Sequence, residues 1–377
     1  MSAEAGVEGP AGLAAAFGEV AAAVALDVPR DHHRPIAVVG AGAIMDVAHL
    51  PAYRAAGLPV VGVFDVDQGR AAEVAARHGI PTVHPSLQAL LADPAVEVVD
   101  VAVPAARQPD VVQAALRSGR HVLAQKPFAP DVATGAALVE LAAQQERVLA
   151  VNQQLRFDEG IAAAHRMVEL GWIGTVSALS ITVDIWTQWS DWPWLLTTPR
   201  LEILNHSIHY HDTVRWFLGE PTTVFCAGGR RPGQAETGET RTVSVYRWPD
   251  GVTAVVHANH LNDHGDLRAE FRIDGTDGAV RGTLGLLYDY PRGRPDTLEV
   301  NSRVLGTDGW APYPVSSRWV PDAFLGPMAS VLAAAAGGPE PRTSGRDNLG
   351  TLRLVQALYA SMESGSAVRL SPTDAAE

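Results

Sequence analysis

A chain of 377 residues is longer than one hydrophobic core usually serves, so two domains are expected. With 47% hydrophobic and 19% charged residues the composition is that of a globular protein. A net charge of -13 with no basic run to offset it excludes nucleic acid and anionic membrane as partners. The single Cys226 cannot close an intrachain disulfide and fits a reducing cytoplasm, and no uninterrupted apolar run is long enough to span a bilayer.

Residues 1–33 read as an N-terminal extension. Glu4 and Glu8 stand where a secretory signal would want positive charge, and Glu19 interrupts the Ala-rich stretch from Gly12 to Leu26. Leu13, Phe17, Val20 and Val24 fall on one helical face, which predicts a short helix docked on the body or on another subunit; a loose leader is the other reading.

From Pro35 strands and helices alternate. Strands are predicted at Ile36–Val39, Val60–Asp65, Val98–Val103, His121–Ala124 and Val148–Val151, with a weak one at Thr82–Val83. Helices are predicted to about Ala56, with Pro51 kinking or restarting the first, and at Gln68–His78, Leu87–Leu91, Asp110–Ser118 and Ala133–Glu146. Short apolar strands separated by helices make residues 34–152 an α/β, doubly wound Rossmann domain with a parallel sheet covered on both faces.

After Asn152 the rhythm changes. Helices are predicted at Gly160–Leu170 and Ile203–Leu218. Strands follow one another at Thr175–Ile185, Thr222–Ala227, Thr240–Trp248, Thr253–His260, Leu267–Ile273 and Ala279–Gly282, with turn signals such as Pro249-Asp250-Gly251 between them. Helices Asp322–Ala335 and Arg346–Met362 close the chain. Residues 153–377 therefore read as an α+β domain with a large, mostly antiparallel sheet and helices on one face. Its uncovered face predicts a homodimer or homotetramer.

Gly40-Ala41-Gly42 follows the first strand and precedes a helix. The first glycine permits a tight turn and the second lets the backbone approach a pyrophosphate at the helix N-terminus. Ala43 and Ile44 open that helix and are counted with the cofactor-binding residues. The third fingerprint position is Met45, so the helix packs less closely than the full motif allows. Asp65, ending the second strand, would bind the ribose hydroxyls and repel a 2′-phosphate, favouring NAD over NADP.

Lys126 is the only lysine among 29 basic residues, in His121-Val122-Leu123-Ala124-Gln125-Lys126-Pro127. Salt bridges here are served by arginine, so a lone amine suggests work that a permanently charged, planar guanidinium cannot do. Farther on, Asn205-His206-Ser207-Ile208-His209-Tyr210-His211-Asp212 opens a helix, and helical spacing places Asn205, His209 and Asp212 on one face. No cysteine or carboxylate pair completes a metal set with these histidines, so no metal is expected. An imidazole is the usual acceptor of an alcohol proton near neutral pH.

These residues carry a resemblance to the Gfo/Idh/MocA family of oxidoreductases, from Pro35 to about Leu370. The matches are Gly40 and Gly42, the strand ending in Val103-Pro104, Gln125-Lys126-Pro127 where the family has Glu-Lys-Pro, and Asn205 through Asp212 where it has Asp-x-Gly-x-His-x-x-Asp. The resemblance implies that Lys126 and His209 are the catalytic lysine and histidine and that Asn205 stands beside them. It also places Pro104, Gln108, Gln125 and Lys126 at the cofactor, and Lys126, Arg156, Asn205, His206 and His209 at the substrate. Gln125, Asn205 and Gln108 replace a Glu, an Asp and a frequent His, removing possible charge while keeping hydrogen-bonding groups.

Trp186, Trp189, Trp192 and Trp194 crowd nine residues together with Asp184 and Asp191. Indole faces suit the C–H faces of sugars and polyols, and Trp186 and Trp192 are taken as substrate-binding; a packed loop or subunit contact is the alternative. His257, His260 and His264 read as surface or interface residues. The implied function is an NAD-dependent dehydrogenase of a sugar, glycoside or cyclitol hydroxyl, with a carbohydrate as its small-molecule partner. Two rivals are an enzyme that oxidises a sugar transiently to eliminate a substituent, and a non-catalytic, sugar-sensing NAD-binding protein.

Overall fold

Four consecutive apolar residues, Ile36–Val39, form strand β1, buried along its whole length as the centre of a parallel sheet requires. The computed structural model describes residues 9–290 and 292–370. It divides into two compact units, one of Leu26–Phe157 with Val320–Arg353, the other, among the described residues, of 9–25, Asp158–Trp319 and 354–370.

In the first unit β1 lies between β2 (Val60–Phe64) and β4 (Val98–Val101), flanked by β3 (Thr82–Val83), β5 (His121–Ala124) and β6 (Leu149–Val151). The order β3-β2-β1-β4-β5-β6, all parallel, is the doubly wound Rossmann arrangement. Val39, Val99, Val101, Val122 and Ala124 of the strands pack with Leu116 and Leu138 of the covering helices. Leu349 and Leu352 join the same core although they lie some 200 residues farther along, within the segment expected to form part of the second domain.

The first helix changes form just before Pro51, as expected of a restart, with the proline in the first turn of the new α-helix. Met45–His49 is wound as a π-helix and passes directly into the α-helix Leu50–Ala55. The Leu50 N–H bonds to the Met45 carbonyl, five residues back, and this wider turn accommodates the proline ring and its missing donor. Met45, at the third fingerprint position, is fully buried where the wide turn begins.

The second unit is built on nine strands: β7 (Val176–Asp184), β8 (Thr223–Gly229), β9 (Arg241–Arg247), β10 (Thr253–Asn259), β11 (Arg268–Gly275), β12 (Gly278–Thr283), β13 (Leu298–Ser302), β14 (Ala311–Tyr313) and β15 (Val368–Arg369). Their order is β14-β13-β12-β11-β7-β10-β9-β8-β15, antiparallel throughout except for β7 with β10. Along β9 and β10 alternate residues are buried, so one face of the sheet is covered and the other is open. The N-terminal helix, Gly9–Val24, docks on this unit's own helix Glu159–Glu169; Phe17 and Val20 are buried, and Phe17 packs against Tyr313 with ring centroids 5.4 Å apart.

Candidate active site

In the first unit the glycine turn has the form its sequence predicts. Gly40 has φ +99°, and a Cβ there would lie 2.2 Å from the Ala102 carbonyl oxygen, so only glycine fits. At Gly42 a Cβ would meet nothing within 4 Å, leaving the backbone open to a pyrophosphate. Asp65 is buried and braces the turn: its Oδ2 accepts the Ala41 N–H at 2.7 Å and its Oδ1 the Asp67 N–H at 2.8 Å. Ala43 and Ile44 start the helix at the surface and Pro104 is exposed beyond β4. The turn, the helix start and the carboxylate together fit a dinucleotide.

A buried network under this turn has no local sequence signal. His49 Nδ1 lies 2.7 Å from Asp100 Oδ2, the Tyr53 hydroxyl donates to the same oxygen at 2.7 Å, and Asn152 Nδ2 is 3.1 Å from His49 Nε2. It fastens the π-helix to β4 and to the end of β6. Burial, with Asp100 beside it, pushes the Tyr53 hydroxyl well above its usual range.

Lys126 follows β5 in a turn fixed from within. The Gln125 side chain accepts the Lys126 N–H at 2.9 Å. Gln108, fully buried, donates its amide to the Gln125 and Pro127 carbonyls, the latter at 2.8 Å. Gln108 and Gln125, both expected at the cofactor, thus spend these bonds on holding the lysine turn. Burial lowers the Lys126 ammonium from 10.5 to about 8. Arg156 is buried as well; its guanidinium pairs with Asp347 at 2.8 Å and donates to the Arg342 carbonyl at 2.9 Å.

In the second unit the helix expected over Ile203–Leu218 is broken. Glu202–Asn205 forms one turn and Ile208–Leu218 a separate helix, with His206 at φ -120°, ψ -68° between them. The Glu202 carbonyl accepts both the His206 and the Ser207 N–H at 2.9 Å, and Glu239 caps the short turn by accepting the N–H groups of Leu201, Glu202 and Ile203. Asn205 therefore does not share one helical face with His209 and Asp212. Its amide donates to the Arg200 carbonyl at 2.9 Å.

His209 is 5% exposed and lies edge-on to the Trp319 ring, centroids 5.6 Å apart. Trp319 was not foreseen; it stands alone in sequence, 110 residues on. His211 bonds the Ser207 hydroxyl at 2.9 Å and the Tyr246 hydroxyl at 2.6 Å, and burial drops its pKa to about 4, so it stays neutral. Among the described residues no cluster of three metal-ligating side chains occurs.

The tryptophans divide. Trp189 is buried with Leu195, Leu201 and Leu261, which makes it packing. Trp186 and Trp194 are 45% and 41% exposed, and Trp192 packs on Tyr290 at 5.7 Å. The surface expectation for His260 is overturned: it is fully buried, 3.5 Å from the equally buried Glu202 carboxylate, because the end of β10 turns its ring under the His206 turn. His257 is partly buried and the His264 side chain is 90% exposed.

Residues 34–153 match the family model described as an oxidoreductase family with an NAD-binding Rossmann fold, and residues 161–281 match that of the GFO/IDH/MocA C-terminal domain. A D-apiose dehydrogenase of Paraburkholderia graminis is 29% identical over 347 residues, 90% of each chain. A D-xylose 1-dehydrogenase (NADP(+)) of Haloferax volcanii is 25% identical over 340 residues, 88% of this chain and 98% of its own. A solved oxidoreductase from Agrobacterium radiobacter, in complex with NAD+, L-tartaric acid and magnesium, superposes with a TM-score of 0.79 at 24% identity, over 89% of this chain and 98% of its own; that likeness concerns the fold. Among the described residues no helix is long and apolar enough to cross a membrane.

Proposed function

We propose that this chain, which belongs to the Gfo/Idh/MocA family of oxidoreductases, is an NAD-dependent dehydrogenase that oxidises a hydroxyl-bearing carbon of a sugar or polyol. The observation that carries the reading is Lys126: the one lysine of the chain ends β5 in a braced turn, with its ammonium lowered to about 8. An amine so tuned can hold a hydroxyl oxygen and stabilise its developing negative charge. His209 takes the hydroxyl proton on its imidazole. The dinucleotide, held by the Gly40–Ile44 turn and Asp65, supplies a hydride acceptor when bound. Asp65 favours NAD by repelling a 2′-phosphate. The names of the two sugar dehydrogenases support a pentose or a similar sugar as substrate, and the half-exposed Trp186 and Trp194 with the partly buried Trp192 offer it apolar faces.

The test is a panel of pentoses, hexoses and cyclitols followed by nicotinamide absorbance. Reduced cofactor should accumulate in step with product, and His209→Ala should slow it by about a hundredfold or more. Turnover of a sugar with no net reduced cofactor would favour transient oxidation, and binding without turnover a sensor.

A further inference from the structure

Four buried polar side chains behind the His206 turn form a chain, two hydrogen bonds joined by one close carboxylate–imidazole approach, that the proton-transfer chemistry does not use. Thr242 donates its hydroxyl to Glu202 Oε2 at 2.7 Å, and His260 Nε2 lies 3.5 Å from Glu202 Oε1. His260 Nδ1 is 2.9 Å from the Thr187 hydroxyl. With the carboxylate at Nε2, the imidazole proton belongs there, so Nδ1 accepts the Thr187 proton.

Each end of this chain governs a different segment. Glu202 begins the turn that carries Asn205 and His206, and its own carbonyl holds the His206 and Ser207 N–H groups. Thr187 begins the segment that carries Trp189, Trp192 and Trp194; its carbonyl accepts the Trp189 N–H at 3.0 Å, and its own N–H bonds the His260 carbonyl. The His260 ring lies 4.0 Å from the His206 ring, and Trp189 closes over both at 5.6 and 5.8 Å. A buried carboxylate with its imidazole is costly to keep unless its geometry is used.

We propose that Glu202, His260 and Thr187 are positioning residues that lock the tryptophan segment to the Asn205–His206 turn, so that the aromatic wall and the polar substrate contacts keep one fixed spacing. The inference rests on the sugar or polyol dehydrogenase reading. It predicts that breaking the chain loosens substrate recognition and leaves the chemical step and cofactor binding nearly unchanged.

Thr187→Val removes the hydroxyl with little change of shape, and Thr187→Ser restores it. In Thr187→Val the KM for the substrate should rise about tenfold, as expected when a buried bond is lost, while kcat and the Kd for NAD stay within about twofold. Thr187→Ser should behave as wild type. Equal effects of the two variants would mean packing rather than the hydrogen bond, and an unchanged KM in Thr187→Val would likewise overturn the proposal.

Hydrogen exchange in the absence of substrate supplies an independent readout. Amides of 186–196 and of 202–210 should both lose protection in Thr187→Val and keep it in Thr187→Ser; faster exchange confined to 186–196 would refute the coupling. If no sugar or polyol is oxidised by wild type, the dehydrogenase reading fails, and exchange still decides whether the two segments are locked.

Discussion

Lys126 holds its positive charge where burial disfavours it, and the sign of the consequence follows from its two pKa values. The ammonium titrates at 10.5 when unperturbed and at about 8 in the fold. Between those values the unfolded chain binds more protons, so this group makes stability rise with pH across that window; below about 8 the whole penalty remains. Lys126→Met should therefore be more stable than wild type in urea at pH 7, and its advantage should shrink towards pH 10, while turnover is lost. An advantage independent of pH would show that the ammonium is not penalised. Asp65 makes a second test at this scale: Asp65→Ser should narrow the preference for NAD over NADP, measured by the ratio of kcat/KM. A wild type that already prefers NADP would overturn the assignment. Both residues were legible because local pattern marks them, one as the sole lysine, the other as the acid ending β2. Trp319 and His260 were not, because only the tertiary fold brings them to His209 and Glu202.

At the scale of elements, period and punctuation located the strands and helices of the first unit to within a few residues, since each apolar run there is short and bounded by glycine, proline or a cap such as Asp67 or Ser86. The break at His206-Ser207 could not be read. It depends on the Glu239 carboxylate, 37 residues beyond Glu202, and on one carbonyl accepting two N–H groups. The short strands β13, β14 and β15 also escaped, because their residues gain strand character only from the sheet beside them. The turn after β5 shows how one element depends on another. Gln108, at the start of the helix Gln108–Arg117, reaches across to the carbonyls on either side of Lys126. Gln108→Ala leaves those buried acceptors without their donor. It should cost about 1–3 kcal/mol of stability, and lower turnover more than NAD affinity because the lysine turn loosens. Unaltered kcat with a folded variant would show that the turn holds itself.

At the scale of the whole molecule, the open face of the nine-stranded sheet bears on assembly. The alternation of Val243, Val245 and Ala254 predicted one covered and one open face, and the register shows what the open face carries. Phe225, Val245 and Val255 stand opposite one another across β8, β9 and β10, and the same row continues through Ser180, Arg272 and Arg281 to Glu299. The charged end is engaged within the chain: Arg272 pairs with Asp274, Arg281 with Glu299, and both guanidinium groups lie on Trp310, at 5.3 and 4.2 Å. The other end leaves Phe225, Val243 and Val255 38–41% exposed on adjacent strands. Three large apolar side chains side by side favour association, and the expected occupant is the same patch of a second copy of this chain. Light scattering at micromolar concentration should show a dimer or a higher symmetric oligomer. Val243→Glu with Val255→Glu should shift it towards the monomer, because introduced carboxylates would be buried against one another, while each copy keeps its fold by circular dichroism. A wild type already monomeric, or a double variant with unchanged mass, would place the contact elsewhere or remove it.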